Sequence, residues 1–186
     1  MVKNDILCAI ATWTEWANEV GNKRYDIALL KIWIQFEKFI AELFVTYATG
    51  NQSEAGFSPS LKLKFSDETQ LNVFLREGNR TYIDYPTQIE KLSKHIFDKD
   101  PFDIIFLDAT IHNTYLQIIS IRNYIAHESG EAKAKMIKTC FGGRDEHFRE
   151  PNDYLLAIKR SSNSSYYTYY VDTIKHMVEL LIDPPQ

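Results

Sequence analysis

The chain has 186 residues, 45% of them apolar and 13% aromatic, which is enough for one domain with a sizeable hydrophobic core. Its two cysteines, Cys8 and Cys140, are too few for a disulfide framework and lack metal-ligand spacing, which favours a reducing compartment. The formal net charge of −4 argues against nonspecific coating of nucleic acid but leaves room for a small cationic cleft.

Neither a signal peptide nor a membrane span is indicated, because no apolar run at the N-terminus or elsewhere has the required length. We therefore expect a cytoplasmic protein without a membrane partner, folded as a single domain over residues 1–186. Within it, residues 51–66 are expected to form a loop insertion. Residues 139–166 are expected to form a loop-rich segment before the C-terminal helix.

Two long helices are predicted in the first quarter of the chain. Apolar residues at three-and-four spacing predict a first helix that Asn4 caps and that ends near Gly21, with the stripe Ile6, Ile10, Trp13 and Ala17. The second helix is predicted over Arg24–Thr49, with Gly50 as its stop. Its wide apolar arc indicates several neighbours and consists of Ile27, Leu30, Trp33 or Ile34, Phe36, Phe39 or Ile40, Leu43, Phe44 and Tyr47.

Shorter elements follow. Leu61–Phe65 alternates as a strand does, but a lone strand without a partner is unfavourable. Ser66 or Asp67 caps a short helix that ends near Gly78, and a proline in its first turn marks another helix over Thr87–Phe97.

A long core helix is predicted next. Asp100 and Pro101 have the pattern of an N-cap and a first helical residue, and helical apolar spacing then continues as far as His127. Gly130 permits a kink or break, and helical character resumes over Ala132–Lys138.

The last part of the chain mixes loops and helix. Cys140–Asp145 has loop composition, and Asp153–Lys159 fits either a helical turn or a strand. Ser161–Ser165 is a polar linker. A final helix is predicted over Tyr167–Ile182, with an apolar stripe made of Val171, Ile174, Val178 and Leu181.

The most distinctive chemistry lies near the end of the long helix, in Arg122-Asn123-Tyr124-Ile125-Ala126-His127. Asn123 and His127 share one helical face, and Arg122 lies about 140° from His127 toward an adjoining face. A guanidinium binds phosphate oxygens, an imidazole moves a proton near neutral pH, and an amide can fix either group. The trio therefore suits chemistry on a phosphodiester.

Structural roles for the same residues stay open at this point. Arg122 would also serve as an ion-pair partner of Glu128 or Asp108, and His127 as a histidine favoured by the helix dipole. Glu37 and Asp26, on the second helix, are candidates to point toward the motif.

This stretch resembles the Arg-x4-His motif of HEPN domains (higher eukaryotes and prokaryotes nucleotide-binding), including the Asn after the Arg and the Ala before the His. The resemblance covers the motif closely and the helix order from about Asp26 to His127 loosely. It implies an all-α, HEPN-like bundle of four to five core helices plus short extra helices. It also implies a two-fold homodimer in which two motifs face each other. Many members are metal-independent ribonucleases of toxin–antitoxin, abortive-infection and CRISPR systems.

Metal-free RNA cleavage needs a base for the ribose 2′-hydroxyl, an acid for the leaving 5′-oxygen and a cation for the phosphorane. One motif supplies one histidine, so two motifs across a dimer complete the set. We therefore expect an endoribonuclease of toxin, phage-defence or stress type that leaves 2′,3′-cyclic phosphates. Arg122 and His127 would be catalytic, Asn123 supporting, and no cofactor or metal is expected. The alternative is a non-catalytic HEPN-type module that binds a nucleotide or protein, and a third is a plain helical scaffold.

Other side chains have smaller predicted roles. Candidates for RNA phosphate contact are Lys133, Lys135 and Lys138. Three histidines on predicted helices lack metal-ligand spacing, so no zinc site is expected at His95, His112 or His176. HEPN toxins paired with a nucleotidyltransferase-type antitoxin carry a tyrosine two places after the histidine, and Ser129 stands there, which puts that partnership in doubt. An antitoxin or other regulatory protein stays a candidate partner.

Overall fold

Helices dominate the computed structural model, which describes residues 2–19, 21–76, 83 and 85–185. Its α-helices are α1 (Val2–Asn18), α2 (Tyr25–Ala48), α3 (Glu68–Leu75), α4 (Tyr85–Ile96), α5 (Asp103–Phe106), α6 (Ala109–His127), α7 (Gly130–Cys140), α8 (Pro151–Leu156) and α9 (Tyr166–Ile182). A 3₁₀ turn covers Asp145–His147. The strands of the described residues form one antiparallel pair, β1 (Ile158–Lys159) and β2 (Ser164–Ser165). The prediction of an all-α fold is confirmed.

Helix α2 lies at the centre of the fold. It contacts α1, α3, α4, α6, α8 and α9, which explains why apolar side chains occupy most of its circumference. The predicted wide arc is therefore confirmed, with one shift in register: Ala28 and Leu29 are buried, whereas Ile27 and Leu30 are only half-buried. Within the described residues, no helix has the combination of length and apolar character needed to cross a membrane.

The outer helices α1 and α9 follow their predicted apolar stripes. Ile6, Ile10 and Ala17 are buried in α1, but Asn4 lies inside that helix, so its predicted capping role is wrong. The α9 stripe is buried as predicted. The C-terminal end of α9 is tied to α2 because the Tyr47 hydroxyl donates to the Leu181 carbonyl at 2.7 Å.

Residues 51–67 contain no helix, and Leu61 forms only a single β-bridge with Phe97. Asp67 caps α3 as predicted, since its side chain accepts a hydrogen bond from the Gln70 amide at 2.9 Å. The predicted end of that helix near Gly78 lies outside the described residues.

The predicted continuous helix from Pro101 to His127 is wrong. Short α5 ends at Phe106, and α6 starts afresh at Ala109. The cause is Asp108, whose backbone is extended and whose Oδ1 accepts from the amides of residues 110 and 111, both at 2.9 Å. A carboxylate that caps a new helix competes with continuation of the previous one.

Helix α6 ends three residues before the break that we predicted at Gly130. Glu128 adopts a left-handed conformation with φ of 48°, and Ser129 caps α7 by accepting from the Ala132 amide at 3.2 Å. Gly130 is therefore the first residue of α7. The ambiguous stretch Asp153–Lys159 contains both predicted alternatives, the end of α8 and the strand β1.

Candidate functional site

Arg122 and Asn123 form a joined pair on α6. One guanidinium nitrogen, Nη1, donates to Oδ1 of Asn123 at 2.9 Å, and the other, Nη2, donates to Oε2 of Glu37 at 3.4 Å. The second Glu37 oxygen accepts from the indole Nε1 of Trp33 at 3.0 Å. The partner of Arg122 is thus Glu37 rather than Glu128 or Asp108, the two partners left open by the sequence.

Of the two acidic residues on α2 that were candidates to face the motif, only Glu37 does so. Asp26 instead forms two hydrogen bonds with Arg24, both at 3.0 Å. Trp33 is almost fully buried, so the Glu37 carboxylate is anchored from the core side while its other oxygen holds Arg122. The guanidinium is therefore held by two different helices.

The Nε atom of Arg122 is buried and has no hydrogen-bond partner among the described residues, while 28% of the side chain stays exposed. An unmade hydrogen bond at a buried donor costs about 1–3 kcal/mol. The buried Nε cannot itself reach a ligand, but the exposed part of the guanidinium side chain is oriented by its neighbours and is accessible to an anionic ligand.

A groove of about 940 Å³ opens beside this pair. Helix α6 contributes one side of its lining, and α2, α3, α4 and α7, together with Arg76 and Ile83 between α3 and α4, contribute the rest. Arg122 and Asn123 both line it, because the bond between them brings the guanidinium to the asparagine side of the helix. A groove of this size is at the upper end of the range for small-molecule sites.

His127 does not line the groove. It is the last residue of α6 and is exposed, about 7.5 Å further along the helix axis than Arg122. The structure thus brings two of the three predicted site residues together in one chain and leaves the imidazole at the helix end. An exposed position makes His127 accessible to a second molecule.

The three predicted phosphate-binding lysines lie in different environments. Lys135 lines the groove together with Arg122. Lys133 places its Nζ over the Phe148 ring, 4.2 Å from the centroid. Lys138 is exposed and outside the groove lining. Only Lys135 therefore lies beside the motif.

Several groove residues had no predicted site role, among them the basic side chains of Lys38, Arg76 and His112. The position of His112 on the groove face was predictable from the sequence, because residues 112, 115, 116, 119, 122 and 123 repeat at helical spacing and share one face. Lys38 directly follows Glu37, but Arg76 reaches the groove from the end of α3, whose position is set by tertiary packing.

Two other features, a buried tyrosine pair and a partly buried cysteine, stabilise the fold and do not form a second site. Tyr154 and Tyr170 share a 2.9 Å hydroxyl contact, Tyr170 donates to Gln117 at 3.1 Å, and burial raises the pKa of both tyrosines. Burial also raises the pKa of the Cys140 thiol, which makes it a poor nucleophile. Over the described ranges, no three His, Cys, Asp or Glu side chains are grouped closely enough to hold a metal ion.

Comparison of the chain with protein-family models, with curated proteins and with solved structures found no match.

Proposed function

We propose that this protein is a metal-independent endoribonuclease with a HEPN-like fold that acts as a homodimer. The main support is the placement of Arg122, which Asn123 and Glu37 hold at an open groove while 28% of its side chain stays exposed. This is the arrangement that a guanidinium needs to bind the phosphate of a scissile phosphodiester.

The position of His127 supports the dimeric form of the proposal. Since one chain offers one motif histidine, and that histidine is exposed at the end of α6, a second copy can approach it. Two copies related by a two-fold axis supply two histidines and two arginines to one composite site. The motif of a single chain supplies one histidine, which cannot serve as both acid and base in the same step.

The proposed chemistry follows from these groups. One His127 removes the proton of a ribose 2′-hydroxyl, and the resulting oxygen attacks the adjacent phosphorus. Arg122 stabilises the negative charge of the phosphorane, aided by Asn123, which fixes the guanidinium. The bond from phosphorus to the 5′-oxygen breaks, and the second His127 protonates that oxygen. The products are a 2′,3′-cyclic phosphate and a 5′-hydroxyl, and DNA is spared because it lacks the nucleophile.

In the cell, such an activity suits a cytoplasmic toxin, phage-defence or stress nuclease under the control of an antitoxin or other regulatory protein. The alternative is a non-catalytic module that binds a nucleotide or protein in the groove. The groove volume is compatible with that alternative, and tight nucleotide binding without RNA cleavage would favour it.

The test is cleavage of a labelled RNA in EDTA by the wild type, Arg122→Ala and His127→Ala, with product ends identified by mass. Matched controls are Arg160→Ala and His176→Ala, which remove an exposed arginine and an exposed histidine elsewhere. We expect cyclic-phosphate products from the wild type and both controls and none from the two motif variants. Equal cleavage by all five proteins, or none by the wild type, would contradict the nuclease.

A further inference from the structure

The groove beside Arg122 gathers positive charge from four separate elements. Its cations come from α2, the residue after α3, α6 and α7: Lys38, Arg76, Arg122 and Lys135. Its carboxylates are those of Glu37, Glu68 and Glu90. Cations outnumber carboxylates in this lining, whereas the chain as a whole carries a formal net charge of −4. A polyanion is therefore attracted to this groove more than to the average surface.

The groove is longer than one phosphate site requires. Along α6 its lining runs from His112 to Asn123, which is about 16 Å at 1.5 Å per residue. At about 3.4 Å for each stacked nucleotide, this length corresponds to roughly five nucleotides. His112 lies at the far end from Arg122, about 15 Å along the axis, so it cannot act on a phosphate bound there.

The remaining lining suits unpaired bases. Tyr85 and His112 present half-buried rings, with the Tyr85 hydroxyl fixed by a 2.8 Å bond to Asn72 and the His112 ring packed edge-on against Phe106. Bases stack on such rings only when they are out of a duplex. The carboxylates of Glu68 and Glu90 repel phosphates but accept hydrogen bonds from N–H groups on the Watson–Crick edges of bases, which are free only when the bases are unpaired.

We propose that this groove binds single-stranded RNA over about five nucleotides. Lys38, Arg76 and Lys135 contact phosphates beyond the one held by Arg122. His112 and Tyr85 stack against bases. This inference rests on the proposed nuclease function and names its substrate class.

The first experiment measures binding of a short labelled 2′-O-methyl oligonucleotide, which cannot be cleaved through its 2′-oxygen, by fluorescence anisotropy over a salt series. Each of Lys38→Ala, Arg76→Ala and Lys135→Ala should lower the slope of log affinity against log salt by about one. Lys138→Ala, one helical turn beyond Lys135 and outside the groove, is the matched control and should leave the slope unchanged. Equal effects of Lys135→Ala and Lys138→Ala would overturn the assignment.

The base contacts are tested separately. His112→Ala should weaken binding about fivefold or more, and His112→Phe should restore it, because stacking needs a ring and not a titratable group. A duplex of the same sequence should bind much more weakly than the single strand. Equal affinity for duplex and single strand, or failure of His112→Phe to restore binding, would contradict the stacking role.

Cleavage of unmodified RNA by the same proteins separates this inference from the proposed function. If the wild type cuts RNA and the groove variants cut and bind normally, the groove assignment fails and the nuclease stands. If the oligonucleotide binds with the predicted pattern and no RNA is cut, the nuclease fails and the binding site stands. Absence of both binding and cleavage overturns both. Thermal unfolding by circular dichroism verifies that each variant is folded.

Discussion

Arg122 on α6 and Glu37 on α2 form a 3.4 Å ion pair at the groove, and the Glu37 carboxylate is in turn fixed by the buried indole of Trp33. The chain of contacts from Trp33 to Glu37 to Arg122 ends at Asn123, which accepts from the other guanidinium nitrogen. The orientation of the arginine therefore depends on the central helix as well as on its own.

Glu37→Gln tests that dependence. Because an amide nitrogen cannot accept from a guanidinium, the variant should hold Arg122 less firmly, and we expect the single-turnover rate of RNA cleavage to fall about tenfold or more. The free energy of unfolding should change by less than about 1 kcal/mol, because the pair is partly exposed to solvent. Glu42→Gln, an exposed position on the same helix, is the control. Unchanged or faster cleavage would show that Glu37 does not position Arg122 for catalysis.

Asp108→Ala tests how much the N-cap of α6 contributes to stability. The substitution removes the acceptor of two backbone amides, so the free energy of unfolding should fall by about 1 kcal/mol in a urea titration. Asp108→Asn keeps the acceptor and should behave as the wild type. Arg122 lies roughly four turns further along, so cleavage per folded molecule should not change. A loss of cleavage activity larger than the loss of folded protein would show that Asp108 affects the site at Arg122 as well as stability.

Helices with a regular apolar stripe could be predicted from the sequence. Helices α2 and α9 match their predicted spans within a residue or two, because each has a long apolar stripe with polar flanks. The break before α6 was not predicted, because the apolar spacing continues unchanged across it. There one local hydrogen-bonding residue, Asp108, decides the geometry.

The candidate site was predictable as residue types but not as an arrangement. The Arg-x4-His spacing singled out Arg122, whereas its partner Glu37 lies on a distant helix and only tertiary packing brings the two together. His127 lies outside the groove because α6 ends at that residue, where Glu128 turns into the left-handed region. The periodicity of apolar residues does not show where α6 ends.

The buried hydroxyl of Tyr47 predicts a pH dependence of stability. Burial raises its pKa to about 12, above the ordinary value of 10.0, so the unfolded chain loses this proton first as pH rises. The stabilising contribution is therefore complete below pH 10 and is lost as pH rises from 10 toward 12. Tyr47→Phe should be less stable by about 1 kcal/mol near neutral pH, because it loses the 2.7 Å bond to the Leu181 carbonyl. Urea titrations at increasing pH should show the difference between the two proteins shrinking above pH 10. A constant difference would contradict the prediction.

The exposed position of His127 predicts that activity depends on protein concentration. If the active site needs two motifs, the dimer is the active species, and specific cleavage activity should fall when the protein is diluted below the dimer dissociation constant. Sedimentation at micromolar concentration should show a species of twice the 21.7 kDa chain mass. A tandem fusion of two copies is the control and should keep its activity on dilution, because its second motif is tethered. Constant specific activity in a protein that sediments as a monomer would contradict the two-motif site, and the acid and base would then have to come from a single chain.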